Sequence, residues 1–150
     1  MVRSAVGLVA ASFEPDAPAY LDRTERALGQ ALAKNDAKLA EPRREVQSYF
    51  ARTGRGFVTP IDFPLVRGPF SRNVLEVARK IPYGSIATYG DVAAMAGSRR
   101  AARAAGTALR NCPFELFVPC HRIVPAAAGL GRYGGHPDRR EFLLRLESAI

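Results

Sequence analysis

The chain has 150 residues, 47% of them hydrophobic and 24% charged, the composition of a globular protein large enough to bury a core. No apolar run approaches the roughly 20 residues that a membrane span needs, and two cysteines are too few for a disulfide scaffold, which predicts free thiols in an intracellular protein. The net charge of +8 is uneven: residues 1–65 carry 9 Lys/Arg against 8 Asp/Glu (+1), and residues 66–150 carry 13 against 6 (+7), so the second segment is either basic for solubility or meets a polyanion.

In chain order, "MVRSAVGLVAASFEPD" reads as a strand over residues 5–13 rather than as a signal peptide. "PAYLDRTERALGQALAK" and "EPRREVQSYFAR" predict two helices, the second with Pro42 in its first turn. Gly and Pro punctuate residues 54–69, which places a domain boundary near residue 65 and gives segments 1–65 and 66–150. "FSRNVLEVARKI" then has Phe70, Val74, Val77, Ala78 and Ile81 at helical spacing, ended by "PYG". Thr88 with Asp91 makes a capping-box start for a short helix that stops at Gly97. Ser98 is placed to cap a second helix running to about Arg110, and the pair has the pattern of a helix-turn-helix.

On that second helix Arg99, Arg103, Gly106 and Arg110 follow at spacings of 4, 3 and 4 and share a face. Ala101, Ala104, Ala105 and Ala108 fill the rest, with Leu109 at the edge. Small side chains beside a row of arginines suit close approach to a phosphate backbone; they equally suit a tightly packed Ala-rich helix with its arginines in water. "FELFV" predicts a strand that "PCHRIV" leaves, "PAAAGLGRYGGHP" a Gly-rich loop, and "DRREFLLRLESAI" a final helix that buries Phe142, Leu143, Leu146 and Ile150.

Cys120, His121 and Arg122 carry the most specific chemistry. A thiol is nucleophilic as its thiolate and needs a base or a cation beside it. His121 is the nearest base, but neighbours on an extended strand point to opposite faces, so the two meet only through a turn or a bridging water. Three other readings compete: a buried structural cysteine, a metal site from Cys112, Cys120, His121 and His136 at no usual zinc spacing, and a cysteine hydrolase.

"PCHRIV", preceded by "AARAAGTALRNCP" and "IPYGSIATYGDVAAMAG" and followed by "GLGRYGG" and "LLRLE", resembles the O6-alkylguanine-DNA alkyltransferases from Phe70 to Glu147. The resemblance implies an α/β (α+β) protein, with a small ribonuclease-H-like N-terminal domain of sheet and helices and a winged helix-turn-helix-like C-terminal domain. It implies direct-reversal DNA repair, in which Cys120 takes an alkyl group irreversibly from O6 of guanine, or from O4 of thymine, in double-stranded DNA. The base is flipped, the protein is consumed in one turnover, and no cofactor or metal takes part. By the same resemblance His121 is the base acting through water, Glu147 orients it, and Tyr89 hydrogen-bonds guanine N3. Ile123, Tyr133, Gly134 and Leu109 form the base pocket. Arg103 fills the gap in the duplex, and Ala101, Ala104, Gly106, Arg99, Arg110 and Arg122 face the DNA. A monomer in the cytoplasm, associated with the nucleoid through DNA and away from membranes, is expected.

The sequence departs from the family pattern in three places. Cys112 stands where the family usually has Asn before proline, with Asn111 one residue earlier. The N-terminal domain begins at a later strand than is usual. No Cys or His precedes Cys112, so the zinc site that some relatives hold in that domain has no ligands here.

Overall fold

The computed structural model describes residues 1–127 and 129–150. The chain forms two compact units that mix helices with small sheets, Met1–Val66 with Pro113–Phe117, and Arg67–Cys112 with Val118–Ile150. A single boundary near residue 65 does not convey the return of residues 113–117 to the first unit.

In the first unit β1 (Val2–Arg3) pairs antiparallel with β2 (Leu8–Ala10). The strand expected over residues 5–13 is shortened because Ser4 turns the chain: its hydroxyl oxygen accepts from the Val6 and Gly7 amides at 3.0 and 3.2 Å. Helix α1 (Ala17–Leu28) opens on Asp16, whose carboxylate accepts from the Ala19 amide at 3.0 Å. Its last residue is Leu28, six short of the expected end at Lys34, and it is capped by Gly29 in the left-handed conformation at φ 67°. On α2 (Ala40–Phe50), Glu45 accepts from the Val58 and Thr59 amides and the Thr59 hydroxyl, tying residues 58–59 to the helix. Val2, Val9 and Ala10 pack with Tyr20, Leu28, Leu32 and Leu65. The rings of Tyr49, Phe57 and Phe117 follow at centroid separations of 5.4 and 4.7 Å.

"FELFV" is not a strand. Phe114 alone bridges to Ala11, and residues 115–117 turn with Leu116 at φ 69°. Phe114, Leu116 and Phe117 are all buried, so the apolar run marks a buried turn, which periodicity does not separate from a buried strand.

In the second unit α3 (Pro69–Arg79) buries Val74, Leu75, Val77 and Ala78. After β3 (Ala87–Thr88), α4 (Tyr89–Met95) begins on the expected capping box, with the Thr88 hydroxyl accepting from the Asp91 amide and the Asp91 carboxylate from the Thr88 amide. Helix α5 (Ala102–Arg110) packs on α3 and α4. It starts later than expected: the Ser98 carbonyl accepts the Ala101 amide, and Arg99 and Arg100 lie in that turn. Strand β4 (Ile123–Val124) pairs parallel with β3, Ala87 opposite Ile123 and Thr88 opposite Val124.

The last helix, α6 (Pro137–Leu146), packs on the Cys120–Arg122 turn. Its buried stripe is Arg140, Leu143, Leu144 and Glu147, at i, i+3, i+4 and i+7. Phe142 and Ile150, expected inside, are 56% and 49% exposed. The apolar pattern misplaces the face because two of its four buried positions are charged. Among the described residues no helix is long and apolar enough to cross a membrane.

Candidate active site

Pro119 has φ −78° and ψ 63°, the values of an inverse γ-turn, and the Cys120 amide donates to the Val118 carbonyl at 2.7 Å. A single 3-10 turn, Cys120–Arg122, follows at once, its Arg122 amide donating to the Pro119 carbonyl at 3.0 Å. Cys120 and His121 therefore sit in a turn and not on a strand. Cys120 is a half-buried thiol outside any disulfide, whereas His121 is fully buried.

The β3–β4 register sets the turn before β3 level with the turn before β4, because Gly84 and Cys120 each lie three residues ahead of the paired Ala87 and Ile123. Glu147, at the C-terminal end of α6, enters that space with only 3% exposure. Its Oε1 meets His121 Nε2 at 2.8 Å and Arg122 Nη2 at 2.9 Å. Its Oε2 accepts from Arg122 Nε at 2.9 Å and from the Gly84 amide at 3.1 Å. Gly84 has φ 74°, and a Cβ there would stand 3.1 Å from the Glu147 carbonyl oxygen, so both conformation and space call for glycine. Arg122 Nη1 donates to the Ile81 carbonyl at 2.6 Å, and Tyr83 donates its hydroxyl to the Leu146 carbonyl at 3.0 Å.

Burial pushes the His121 imidazole below its ordinary value; the hydrogen bond and charge of Glu147 oppose this, and Arg122 and Arg140 add to it. The ring is thus neutral near pH 7. With Nε2 facing a carboxylate, the ring hydrogen belongs on Nε2 and the Nδ1 lone pair is free to accept. Nδ1 is buried and has no hydrogen-bond partner among the described protein atoms. A carboxylate and a neutral imidazole in fixed tautomer can take up the proton of an adjacent thiol.

Arg122 is corrected by this geometry. It was expected on the DNA face, but it is 4% exposed and its guanidinium is engaged by Glu147 and Ile81. Arg103, Ala104 and Arg110 are exposed on α5, Ala101 and Gly106 are half-buried, and Arg99 is exposed in the turn before the helix rather than on it. Leu109 and Ile123 are buried, at 7% and 0% exposure. Tyr89 is the first residue of α4, and its ring faces Gly106, where an added Cβ would lie 3.6 Å from Cδ1. Tyr133 and Gly134 occupy a 3-10 turn, Tyr133–Gly135, both at positive φ. The Gly-rich loop, residues 125–137, is described apart from Ala128, which lies outside the described residues.

Sequence reasoning missed Tyr83, Gly84 and Arg140. Arg140 is 1% exposed. Its Nη1 donates to the Leu130 carbonyl, and its Nη2 to the Tyr89 hydroxyl oxygen at 3.3 Å and the Cys120 carbonyl at 3.5 Å. Its guanidinium carbon lies 4.7 Å from the centroid of the Tyr133 ring. The available signal was its place seven residues before Glu147, on the same stripe of α6. Among the described residues no group of three or more His, Cys, Asp or Glu is placed to hold a metal ion.

Residues 69–149 match the family described as 6-O-methylguanine DNA methyltransferase, DNA binding domain. The chain is 36% identical over 116 residues to the constitutive methylated-DNA–protein-cysteine methyltransferase of Bacillus subtilis, covering 76% of this chain and 68% of that protein. It is also 36% identical over 135 residues to the DNA base-flipping protein of Thermus thermophilus, covering 89% and 90%. A crystal structure of Mycobacterium tuberculosis OGT in complex with DNA superposes with a TM-score of 0.67 at 35% identity, covering 73% of this chain and 65% of that one.

Proposed function

The chain belongs to the 6-O-methylguanine DNA methyltransferase family, and from that premise we propose that it repairs alkylated DNA by moving an alkyl group from O6 of guanine to Cys120. The observation that carries this reading is the buried His121 beside Cys120, held at 2.8 Å by Glu147 through Nε2 with Nδ1 left as a buried acceptor. A water between Sγ and Nδ1 passes the thiol proton to His121. The thiolate attacks the alkyl carbon, the S–C bond forms as the C–O6 bond breaks, and the electron pair stays on guanine. Tyr89 donates to N3 of the departing base. No group in the relay is suited to cleave the resulting thioether, so each molecule acts once. The same displacement serves O4-alkylthymine.

A base inside a duplex is out of reach of Cys120, so it is flipped into the pocket. Leu109, Ile123, Tyr133 and Gly134 are assigned to that pocket. Tyr133 lies beside the base, the Gly134 amide faces O6, and the Cys120 and Ile123 carbonyls accept from the exocyclic amine. Arg103, exposed on α5, fills the gap, while Ala101, Ala104 and Gly106 allow close approach to the minor groove, flanked by Arg99 and Arg110. Arg122 passes from the DNA face to the relay, where it fixes Glu147. In this reading the first unit takes the ribonuclease-H-like role, and α4, α5 and the β3–β4 pair form a winged helix-turn-helix. The protein acts as a cytoplasmic monomer without a cofactor.

Incubation with a duplex bearing one O6-methylguanine is expected to add one methyl to the peptide containing Cys120, as read by intact and peptide mass. Beside the long match to a relative named a DNA base-flipping protein stands a second reading, lesion binding without transfer, against which the presence of the Cys120 thiol argues. Protein that binds the duplex yet keeps its mass would establish that one, and repeated turnover of an ester would establish a hydrolase. Arg103→Ala is expected to slow repair in duplex DNA by roughly 10- to 100-fold, the scale of a flipping cost of a few kcal/mol, while the rate with free O6-benzylguanine stays near wild type. Equal losses on both substrates would remove Arg103 from base flipping.

A further inference from the structure

Among the described residues no carboxylate lies in ion-pair range of Arg140, although its side chain is 1% exposed. A buried cation without a counter-ion is costly, and its Nε is also buried without a partner. Three polar contacts nonetheless hold the guanidinium in one place: the Leu130 carbonyl, the Tyr89 hydroxyl oxygen and the Cys120 carbonyl. The Tyr133 ring covers its face at 4.7 Å. Gly131 leaves room for this arrangement, since a Cβ there would stand 3.2 Å from Nη1 and 2.8 Å from the Pro125 side chain.

One contact fixes a direction. Arginine has only donors, so in the Arg140–Tyr89 bond the phenolic oxygen is the acceptor. The Tyr89 hydrogen is then committed to some other acceptor. We infer that Arg140 is a positioning residue for the leaving base: it turns the Tyr89 O–H toward the guanine ring and sets a fixed positive charge where the departing base gathers negative charge. This rests on the alkyl-acceptor reading above and deepens it. Arg140 need not touch the base. It acts through Tyr89, and its charge is already in place when the electron pair of the breaking C–O6 bond moves onto guanine.

The test compares two electrophiles that share the thiol and differ in the leaving group. O6-Benzylguanine releases a guanine anion that Tyr89 and Arg140 assist; iodoacetamide releases iodide, which needs no donor. Arg140→Met is expected to slow transfer from O6-benzylguanine by roughly 10- to 100-fold, with Cys120 alkylation by iodoacetamide within about twofold of wild type. In a Tyr89→Phe background, adding Arg140→Met is expected to change transfer by no more than about twofold, because the two act as one unit. Arg140→Lys keeps the charge but not the planar fork, and it shows the same selective loss to a smaller degree, so the comparison survives if the methionine variant folds poorly.

Equal slowing with both electrophiles would overturn the inference, since it would mark general damage to the site. Multiplicative losses in the Tyr89→Phe background, or an unchanged transfer rate in Arg140→Met, would overturn it as well. Wild-type protein that reacts with iodoacetamide but never with O6-benzylguanine or an O6-methylguanine duplex would instead sink the alkyl-acceptor reading, and this inference with it.

Discussion

Glu147→Ala is expected to lower folding stability by about 3–5 kcal/mol, the usual cost of stripping one partner from a buried ion pair. Glu147 and Arg122 are 3% and 4% exposed, and both carboxylate oxygens accept from the guanidinium at 2.9 Å. Removing the carboxylate leaves Arg122 charged and buried against the Ile81 carbonyl, and it takes the acceptor from His121 Nε2 and the Gly84 amide. Urea denaturation of the intact chain reads the loss as a lower midpoint. The paired replacement Glu147→Leu with Arg122→Met is expected to regain most of that stability, since a buried pair exchanged for apolar groups is often neutral. It is not expected to regain alkyl transfer, because His121 stays unoriented. A paired variant as unstable as Glu147→Ala would show that the ion pair is not the source of the loss. A paired variant with wild-type transfer would remove Glu147 from the relay.

The second large effect concerns His121. Replacement by Gln is expected to slow alkyl transfer at pH 7 by roughly 10²- to 10⁴-fold, the usual worth of a positioned general base. The pH dependence follows from burial, which holds the imidazole below its ordinary value. The neutral ring accepts the thiol proton, so the wild-type rate should stay level as pH falls to about 6.5, the unperturbed histidine value, and decline only below it. In His121→Gln the remaining rate should climb through the alkaline range as the thiol ionises unaided. Stopped-flow transfer from O6-benzylguanine between pH 5 and 9 measures both curves. A wild-type rate that falls by half already at pH 7 would contradict a neutral buried ring. Stability carries the same sign: the folded-state value is depressed, so this contribution is whole above about pH 6.5 and is lost as pH falls, when the unfolded chain takes up a proton that the folded chain refuses.

Where local chemistry decided a feature, the sequence announced it. Thr88 and Asp91 cap α4 as their spacing predicts, and Pro42 lies in the first turn of α2 as expected. The adjacent Cys120 and His121 raised a geometric question that Pro119 answers with a turn. What stayed hidden depended on contacts between distant residues. Arg122 lies in the basic half of the chain and reads as surface, yet Glu147, 25 residues away, draws it inside. Arg140 is one more arginine in "DRRE" until α6 is seen to bury the stripe it shares with Glu147. The same stripe explains why Phe142 was expected inside. An apolar count follows hydrophobic side chains, while this helix turns Arg140 and Glu147 toward the site and leaves a phenylalanine in solvent.

The chain passes from Cys112 into the first unit for Pro113–Phe117 and returns at Val118, two residues before Cys120. The active-site half is therefore not a detachable cassette. A graft between relatives that exchanges residues 67–150 alone carries this five-residue stitch into a foreign seat, where Ala11 must still bridge Phe114 and the rings of Phe57 and Phe63 must still receive Phe117 and Phe114. Recombination between relatives should succeed where the stitch and its seat travel together. Substitutions at Phe57 or Phe63, remote in sequence from any reactive group, belong among the changes that such exchanges must keep matched.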